Sequence, residues 1–444
     1  MFRRVLVANR GEIARRVMRT CRRLDIHTIA IFSDADAGAA HVAEADEAVR
    51  VGGAPPADSY LNIRAVISAA LESGAEAVHP GYGFLAENSD FARAVTDAGL
   101  TWIGPDPETI DLMGDKINAR NFMHGVGVPV APGTPSPLRD ADAVARAAGD
   151  LGFPLMVKAS GGGGGIGMGI ANDDEELARV FATTQSRAER FFGSGDILLE
   201  RLIRPARHVE VQILGRVDGT VVALGDRDCS VQRRHQKVLE ESPSPGITDR
   251  LRERMFAAAV AAGEAVRYKG AGTIECLVDP EAQEFYFLEM NTRLQVEHPV
   301  TEMTTHVDLV EEQLRVASGE EASVSATPAP DGHAIEARVY AEDPQRFLPS
   351  PGEISVWEEP NGSGVRIDAA YRAGDTVTPF YDPLLAKVCV SAADRNAALD
   401  RLHSTLEDFK IVGPKTNIPF LIEALATPQF AQGRYDTGLV DLLR

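Results

Sequence analysis

The N-terminal part of the chain alternates short apolar runs with stretches of helical periodicity. The apolar runs predict buried strands and occupy residues 5–8, 29–32, 75–79 and 101–103. A helix is predicted to open at Gly11, with Ile13, Val17 and Leu24 on its apolar face. Strands that alternate with helices predict a mainly parallel α/β sheet with right-handed connections.

Two β-rich runs in the middle of the chain, 272–278 and 284–288, flank a turn-rich break and predict a hairpin. If the pairing is symmetric about Ala282, Glu275 lies opposite Glu289. Two carboxylates about 5 Å apart repel by roughly 3 kcal/mol at an effective dielectric constant of about 20. We therefore expect a positive charge between them, either Arg293 or a divalent cation.

Polar residues continue at alternate positions after this hairpin, and they are Glu289, Asn291, Arg293, Gln295 and Glu297. A strand sends alternate side chains to the same face, so we expect all of them on one surface. A solvated strand face produces a similar pattern. An oxygen-rich surface also suits Mg²⁺, which proteins usually hold with one or two carboxylates and substrate phosphates. We therefore predict a site for a nucleotide and Mg²⁺.

A glycine-rich run from 161 to 169 follows a predicted strand at 155–159. Each glycine costs about 0.5–1 kcal/mol in regular structure, so this run is predicted to be a loop. A flexible linker is one interpretation. The other is a phosphate-binding loop, in which backbone N–H groups wrap phosphate oxygens and Lys158 and Lys116 neutralise them. The run does not match Gly-x-x-x-x-Gly-Lys-Ser/Thr, and no Gly-x-Gly-x-x-Gly follows the first strand, which disfavours a dehydrogenase.

A cation-rich segment at 227–238 stands out because the chain as a whole carries a formal charge of −20. It is either a solvated basic edge or an anion pocket, in which Lys237 and Arg293 hold an oxyanion and His235 lies near the nucleotide. His208 is ambiguous, since a lone histidine more often satisfies a backbone carbonyl. The overall charge argues against nucleic acids and acidic membranes as general partners.

The composition, with 44% hydrophobic and 25% charged residues among 444, is that of a folded chain of two or three domains. The cysteines show neither zinc-site nor disulfide spacing and are expected to be reduced: Cys21, Cys229, Cys276 and Cys389. The N-terminal apolar run is too short for a signal peptide, so we expect a cytoplasmic protein. Proline-rich or polar breaks at 128–137 and 321–331 suggest domain edges.

Together these motifs resemble the ATP-grasp superfamily and, within it, biotin carboxylases. The resemblance covers essentially the whole chain and rests on segments 7–14, 79–85, 234–238 and 289–299. It implies a multidomain fold of mixed α/β and α+β class, made of a Rossmann-like N-terminal domain, an ATP-grasp domain with a mobile glycine-rich lid, and a mixed, β-rich C-terminal domain. The expected bounds are 1–114, 115–330 with the lid at about 131–203, and 331–444.

The resemblance also implies roles for individual residues. ATP would be bound by Lys116, Lys158, Gly164, Gly165, Glu200, Arg201, Leu202, Ile203, His208, His235, Glu275 and Glu289. The metal, Mg²⁺ or Mn²⁺, would be held by Glu275, Glu289 and Asn291. Bicarbonate would be held by Lys237, Arg293 and the backbone of Val296. Glu297 would be the general base, and Arg338 would stabilise the enolate of biotin near Tyr82, so the catalytic residues would be Glu297, Arg293, Arg338 and Lys237.

The implied activity is ATP-dependent carboxylation of biotin through carboxyphosphate, the first half-reaction of a biotin-dependent acyl-CoA carboxylase such as that of fatty acid biosynthesis. Biotin would arrive on a separate carrier protein or domain, because the chain has no Ala-Met-Lys-Met sequence. A carboxyltransferase would be a further partner. A homodimer is expected, with Arg16, Arg19 and Arg366 as candidate contacts, although Ser363 replaces an aromatic residue found there in some members.

Two other functions remain open at this point. A different ATP-grasp ligase, joining a carboxylate to an amine, would keep the glycine loop and the carboxylates but would have no reason for Arg338 or the 295–299 segment. A non-catalytic nucleotide-binding regulatory subunit is suggested by Ile166 and Gly169, which stand where many biotin carboxylases carry basic residues.

Overall fold

The computed structural model describes residues 1–160, 167–234 and 236–443. Its strands, numbered in chain order, are β1 Arg4–Val7, β2 His27–Ser33, β3 Glu47–Gly52, β4 Ala77–His79, β5 Thr101–Trp102, β6 Leu155–Ala159, β7 Met168–Ala171, β8 Ile197–Arg201, β9 Arg207–Gly215, β10 Val221–Arg233, β11 Gln236–Ser242, β12 Gly270–Asp279, β13 Glu284–Asn291, β14 His333–Tyr340, β15 Gly352–Glu353, β16 Val356–Glu358, β17 Val365–Ala369, β18 Thr376–Val377, β19 Leu384–Ala392 and β20 Lys410–Val412.

Its helices are α1 Gly11–Arg23, α2 Ala40–Glu44, α3 Ile63–Glu72, α4 Ser89–Asp97, α5 Pro107–Gly114, α6 Lys116–Gly125, α7 Ala141–Leu151, α8 Asp174–Phe192, α9 Asp249–Ala265, α10 His298–Thr305, α11 Leu309–Ala317, α12 Arg395–Asp408, α13 Ile418–Leu425 and α14 Pro428–Ala431. None of these described helices has both the length and the apolar character needed to cross a bilayer.

The N-terminal region forms the predicted parallel sheet, with strand order β3-β2-β1-β4-β5. Each predicted strand is present within a few residues of its expected bounds. Helix α1 buries Ile13 and Val17 as predicted, but it ends before Leu24. Sequence reasoning missed β3, because this edge strand exposes alternate residues and has no continuous apolar run.

The central and C-terminal regions share one antiparallel sheet, with order β13-β12-β9-β10-β11-β14-β19-β17. β11 pairs directly with β14, so that Leu239 lies opposite Ala337. One apolar core accordingly contains Val238 and Leu239 from β11 together with Ile335 and Ala337 from β14. The polar break at 321–331 therefore interrupts the sequence but not the sheet.

The hairpin of β12 and β13 confirms the predicted pairing of Glu275 with Glu289, by an unexpected route. Next to the turn, Asp279 pairs with Glu284, a register that would bring Leu288 opposite Glu275. A β-bulge between Glu275 and Cys276 shifts the register by one residue. The bulge is therefore what places the two carboxylates opposite each other.

The predicted continuation of this strand to Glu297 is wrong. β13 ends at Asn291, and the chain turns through 292–297 into α10. Glu297 has φ −81° and ψ 8°, which is not extended, and proline stands in the first turn of the helix behind it. A turn, and not a strand face, collects the polar side chains.

The lid region contains the three-stranded antiparallel sheet β7-β6-β8, covered by α8. Gly169 lies in β7, opposite Val157. A Cβ atom at Gly169 would lie 2.5 Å from Cγ1 of Val180, which belongs to α8. Glycine at this position lets α8 approach β7 closely. Gly169 therefore has a role in packing, in addition to replacing the basic residue that many biotin carboxylases carry there.

We expect Gly169→Ala to lower the free energy of unfolding by about 1–3 kcal/mol, because it overpacks the contact with Val180. The double variant Gly169→Ala/Val180→Ala should regain most of that loss. Gly149→Ala is the matched control, since a Cβ atom at this site in α7 meets nothing within 4 Å and alanine favours a helix. Urea unfolding of each variant measures the effect, and equal stability of Gly169→Ala and the parent would contradict it.

Candidate active site

Lys237 lies at the centre of the site, on β11, and its Nζ contacts three carboxylates. The distances are 2.7 Å to Glu210, 2.9 Å to Glu275 and 2.5 Å to Glu297. Burial works to lower the pKa of this lysine, but the three carboxylates outweigh burial and raise the pKa well above its usual value. The ammonium therefore stays charged and joins β9, β12 and the 292–297 turn.

Glu275 is the carboxylate with the most partners. It accepts hydrogen bonds from Asn291 Nδ2 at 2.8 Å and Gln295 Nε2 at 2.6 Å, and it lies 2.9 Å from His208 Nε2. Burial acts to raise the pKa of Glu275, but Lys237 and His208 lower it far below its ordinary range. His208 is therefore not an isolated histidine. Burial acts to lower the pKa of His208, but its ion pair with Glu275 raises this pKa above its usual value.

The expected cation between Glu275 and Glu289 is not Arg293. Arg293 Nε donates to Glu87 at 2.8 Å, and its Nη2 donates to Asn291 Oδ1 at 2.8 Å. Lys237 and His208 compensate Glu275, whereas the nearest cation recorded for Glu289 is Lys116 at 3.7 Å. The register prediction is therefore confirmed, and Arg293, the alternative to a divalent cation, does not lie between the two carboxylates because the turn after Asn291 carries it towards Glu87.

Glu289, Glu275 and Asn291 fit a hard divalent cation. Burial and repulsion by Glu275 raise the pKa of Glu289, since Lys116 compensates its charge only in part. The side chain of Glu289 is 38% exposed, and a carboxylate with a raised pKa gains from a nearby divalent cation, which prefers oxygen ligands. In the described residues two other groups bring ligand atoms together, namely His208, Glu210 and Glu275, and Glu210, Cys229 and Glu297. Lys237 already binds carboxylates of both groups.

Glu297 is held between two cations. Lys237 Nζ approaches one of its oxygens at 2.5 Å, and Arg338 Nη2 donates to the other at 2.9 Å. Burial acts to raise the pKa of Glu297, but Lys237, Arg338 and Arg227 hold it well below its usual range. Arg338 also pairs with Glu240 at 2.6 Å. Burial raises the pKa of Glu240 to about 7 in spite of this arginine.

Arg227 is a functional candidate that sequence reasoning did not single out. It is fully buried on β10, where Nε donates to Glu210 at 2.6 Å and Nη2 donates to Gln295 at 2.6 Å. It thereby orients two residues that face Lys237 and Glu275. Glu210 was missed as well, although His208, Glu210 and Gln212 alternate along β9, and this alternation on a buried strand was a usable signal.

The two predicted phosphate-binding lysines contact different carboxylates, and Lys116 lies 3.7 Å from Glu289. Lys158 on β6 forms an ion pair with Glu200, and Arg120 Nε lies 3.8 Å from the same carboxylate. Glu200 and Arg201 end β8, and Leu202 and Ile203 follow it. The predictions for Gly164, Gly165 and His235, and the substitution at Ile166, fall outside the described residues.

A cavity of about 460 Å³ opens beside Val296 and Arg338, where the N-terminal region, the 292–297 turn and the C-terminal region meet. Its lining includes Tyr82, Arg293, Val296 and Arg338. Arg293 and Val296, expected for bicarbonate, thus share this space with Tyr82 and Arg338, expected for biotin, whereas Lys237 is not among its described lining residues. The hydroxyl of Tyr82 donates to Glu12, which fixes this wall of the cavity.

Models of domain families match consecutive parts of the chain. The biotin carboxylase N-terminal domain matches residues 1–110, the ATP binding domain of the carbamoyl-phosphate synthase L chain matches 115–324, and the biotin carboxylase C-terminal domain matches 336–442. A protein of Halalkalibacterium halodurans named biotin carboxylase is 51% identical over 99% of this chain and 97% of its own length. The chain belongs to the biotin carboxylase family.

Solved structures of this family agree with the fold. The biotin carboxylase domain dimer of Hydrogenobacter thermophilus 2-oxoglutarate carboxylase, in complex with MgADP, ADP and bicarbonate, is 46% identical and has a TM-score of 0.96, covering 100% of this chain and 98% of that one. A biotin carboxylase complex with beta-gamma-ATP from Campylobacter jejuni is 40% identical with a TM-score of 0.97, covering 100% and 99%. The multidomain α/β architecture predicted from sequence is confirmed.

The arginines expected at a dimer contact of biotin carboxylases differ in accessibility here. Arg16 is 3% exposed and binds Glu302 at 2.6 Å and Asp308 at 2.8 Å within its own chain. Arg366 likewise binds Glu302 at 2.7 Å. The side chain of Arg19 is 52% exposed. Arg16 therefore braces α1 internally, and Arg19 is the one of the three that remains open to a second subunit.

We expect Lys237→Met to lower the free energy of unfolding by about 3–5 kcal/mol, because three buried carboxylates lose their shared cation. Adding Glu210→Gln should restore part of this stability by removing one of the repelling charges. Urea unfolding at pH 7.5 measures both effects. A Lys237→Met protein as stable as the parent would contradict the central role of this ammonium.

Proposed function

We propose that this member of the biotin carboxylase family carboxylates carrier-bound biotin with ATP and bicarbonate, with Glu297 as the general base. The observation that carries the assignment is the position of Glu297, which Lys237 holds on one oxygen and Arg338, a residue of the cavity lining, holds on the other. Its low pKa keeps it ionised at neutral pH. A base must be unprotonated and within reach of its substrate before the reaction starts.

The first step places negative charge near fixed cations. Lys237, Arg293 and the backbone of Val296 would hold bicarbonate while Glu297 takes its proton. A bicarbonate oxygen then attacks the γ-phosphorus of ATP, which breaks the bond to the bridging oxygen and gives carboxyphosphate and ADP. Preorganised cations stabilise charge that develops in such transfers. Bound Mg²⁺, held by Glu275, Glu289 and Asn291, would neutralise phosphate charge.

The second step takes place on the Arg338 side of the cavity. Carboxyphosphate breaks into CO₂ and phosphate, and the phosphate takes the N1′ proton of biotin. The guanidinium of Arg338 would stabilise the resulting enolate oxygen, and N1′ then forms a bond to CO₂. Tyr82 lines the same cavity. A closed lid is needed in addition, because carboxyphosphate hydrolyses readily in water.

The partners follow from this chemistry and remain part of the proposal. Biotin would be delivered by a biotin carboxyl carrier protein or domain, and a carboxyltransferase would pass the carboxyl group to an acyl acceptor, as in fatty acid biosynthesis. Dimerisation is supported by the related biotin carboxylase domain, which forms a dimer. A cytoplasmic location stays a prediction.

Bicarbonate-dependent ATP hydrolysis that is stimulated by free biotin tests the proposed function. We expect ADP formation to require bicarbonate and to rise when biotin is added, with carboxybiotin as a product. Hydrolysis without any biotin effect would favour another ATP-grasp ligase. No hydrolysis at all would favour a nucleotide-binding regulatory subunit.

Glu297→Gln should abolish bicarbonate-dependent hydrolysis while ATP still binds, because the amide cannot accept the proton and ATP contacts other residues. Calorimetric titration with ATP and an assay of ADP release measure the two properties. Glu312→Gln is the control, since Glu312 is a buried carboxylate of α11 that accepts from the Ser323 N–H at 2.9 Å, apart from the site. Full activity of Glu297→Gln would refute the base assignment.

Arg338→Gln should separate the two steps. We expect carboxybiotin formation to fall on the order of 100-fold, the cost of removing one oxyanion donor, while a larger share of the slow biotin-independent ATP hydrolysis survives. The ratio of carboxybiotin to ADP measures this difference. An unchanged ratio would place Arg338 in the first step instead.

A further inference from the structure

Lys387 is a buried lysine that neither the sequence motifs nor the proposed reaction uses. It lies on β19 within the apolar run Leu384–Ala392 and has 0% exposure. Lysine is almost never fully buried unless its charge is paired. Its surroundings therefore require an explanation.

The ammonium of Lys387 connects two parts of the cavity wall. Nζ donates a hydrogen bond to the carbonyl oxygen of Val296 at 2.8 Å and lies 3.2 Å from Oε2 of Glu12. The other oxygen of Glu12 accepts from the hydroxyl of Tyr82. The Val296 carbonyl belongs to the peptide bond that leads into Glu297. One lysine thus contacts the backbone of the base and, through Glu12, Tyr82.

These contacts cross all three regions of the chain. Glu12 and Tyr82 belong to the N-terminal region, Val296 to the central turn, and Lys387 to the C-terminal part of the shared sheet. Within the described residues, the 292–297 turn pairs with no strand, so no ladder of backbone hydrogen bonds fixes its position relative to the sheet. The Lys387 bond supplies a fixed point on this turn, one residue from Glu297.

Electrostatics keep this lysine charged. Burial acts to lower its pKa, but Glu12, Glu336 and Asp368 raise it above its usual value. Asp368 is already bound by Arg366 Nη2 at 2.6 Å and Arg19 Nη1 at 3.0 Å. A lysine that only balances charge needs no partners other than carboxylates. Lys387 also binds the backbone carbonyl of Val296, next to Glu297, and this bond fixes the position of the backbone there.

We propose that Lys387 is a positioning residue that holds the Val296–Glu297 peptide and, through Glu12, the Tyr82 wall in one fixed arrangement. This inference rests on the proposed function. Glu297 and the biotin pocket thereby keep the same relative position while the carboxyl group passes from the first step to the second. Without the ammonium, the Val296 carbonyl loses this bond and its connection through Glu12 to Tyr82, so the support that Lys237 and Arg338 give to Glu297 no longer extends to the tyrosine.

Loss of the fixed position of Glu297 relative to Tyr82 has a specific kinetic effect. Misplacement by about 1 Å is able to cost on the order of 100-fold in rate even when the changed residue does not touch substrate. CO₂ released when carboxyphosphate breaks down would escape before biotin captures it. ATP hydrolysis would therefore continue while carboxybiotin formation falls, and the KM for ATP would stay the same because its binding residues do not contact Lys387.

The test compares two variants, Lys387→Met and Arg395→Met. Lys387→Met keeps a side chain of similar length but removes its charge. Arg395 is a matched control, because it also pairs with a buried carboxylate, Glu241, at 2.7 Å and 2.9 Å, away from the cavity. We expect Lys387→Met to lower the ratio of carboxybiotin to ADP on the order of 10-fold to 100-fold. Arg395→Met should lower the melting temperature and leave that ratio unchanged.

A second variant keeps the test decisive if Lys387→Met folds poorly. Lys387→Met/Glu12→Gln removes both members of the buried ion pair, so no uncompensated Glu12 charge remains, and the Val296 bond is still lost. We expect the same low ratio. Glu12→Gln alone keeps Lys387 bonded to Val296 and should reduce the ratio less than the double variant does.

The outcomes separate the inference from the function beneath it. A parent enzyme without biotin-stimulated turnover refutes the proposed function itself. An active parent together with a folded Lys387→Met or double variant that keeps the parental ratio refutes the role of Lys387. Equal loss of the ratio in Arg395→Met would also refute it, since the effect would then come from general destabilisation.

Discussion

The site depends on one buried ammonium. Lys237 is the shared counter-ion of Glu210, Glu275 and Glu297, which come from two strands and one turn. Without Lys237, these carboxylates would repel one another, and at such short distances the repulsion between two unit charges is several kcal/mol. The rest of the constellation follows from that attraction: His208 completes the compensation of Glu275, Arg227 orients Glu210, and Arg338 takes the oxygen of Glu297 that Lys237 leaves open.

This arrangement explains how one site handles two anionic reactions. The positive groups are fixed before substrate arrives, so that little reorganisation is needed when charge moves. In the proposed function, Glu297 connects the Glu275 side, where nucleotide and metal would bind, with Arg338, which lines the cavity. A carboxylate in that position is able to act on bicarbonate without leaving either set of cations.

Sequence patterns predicted much of this, for identifiable reasons. Continuous apolar runs locate the central strands of a parallel sheet, whereas edge strand β3, with its alternate exposure, escaped notice. The pairing of Glu275 with Glu289 was predicted correctly, but the bulge that produces it leaves no mark in composition. Contacts between distant segments were out of reach: nothing near Arg293 in sequence indicates Glu87 as its partner, and nothing near Lys387 indicates Val296.

The shared sheet has an evolutionary consequence. Family models meet between residues 324 and 336, as if two independent modules were joined there. In space this boundary is a ladder of backbone hydrogen bonds between β11 and β14, with an apolar core on it. Separation at that point would leave each fragment with an open strand edge and an uncovered apolar face. The two modules are therefore constrained to be inherited, exchanged and folded together.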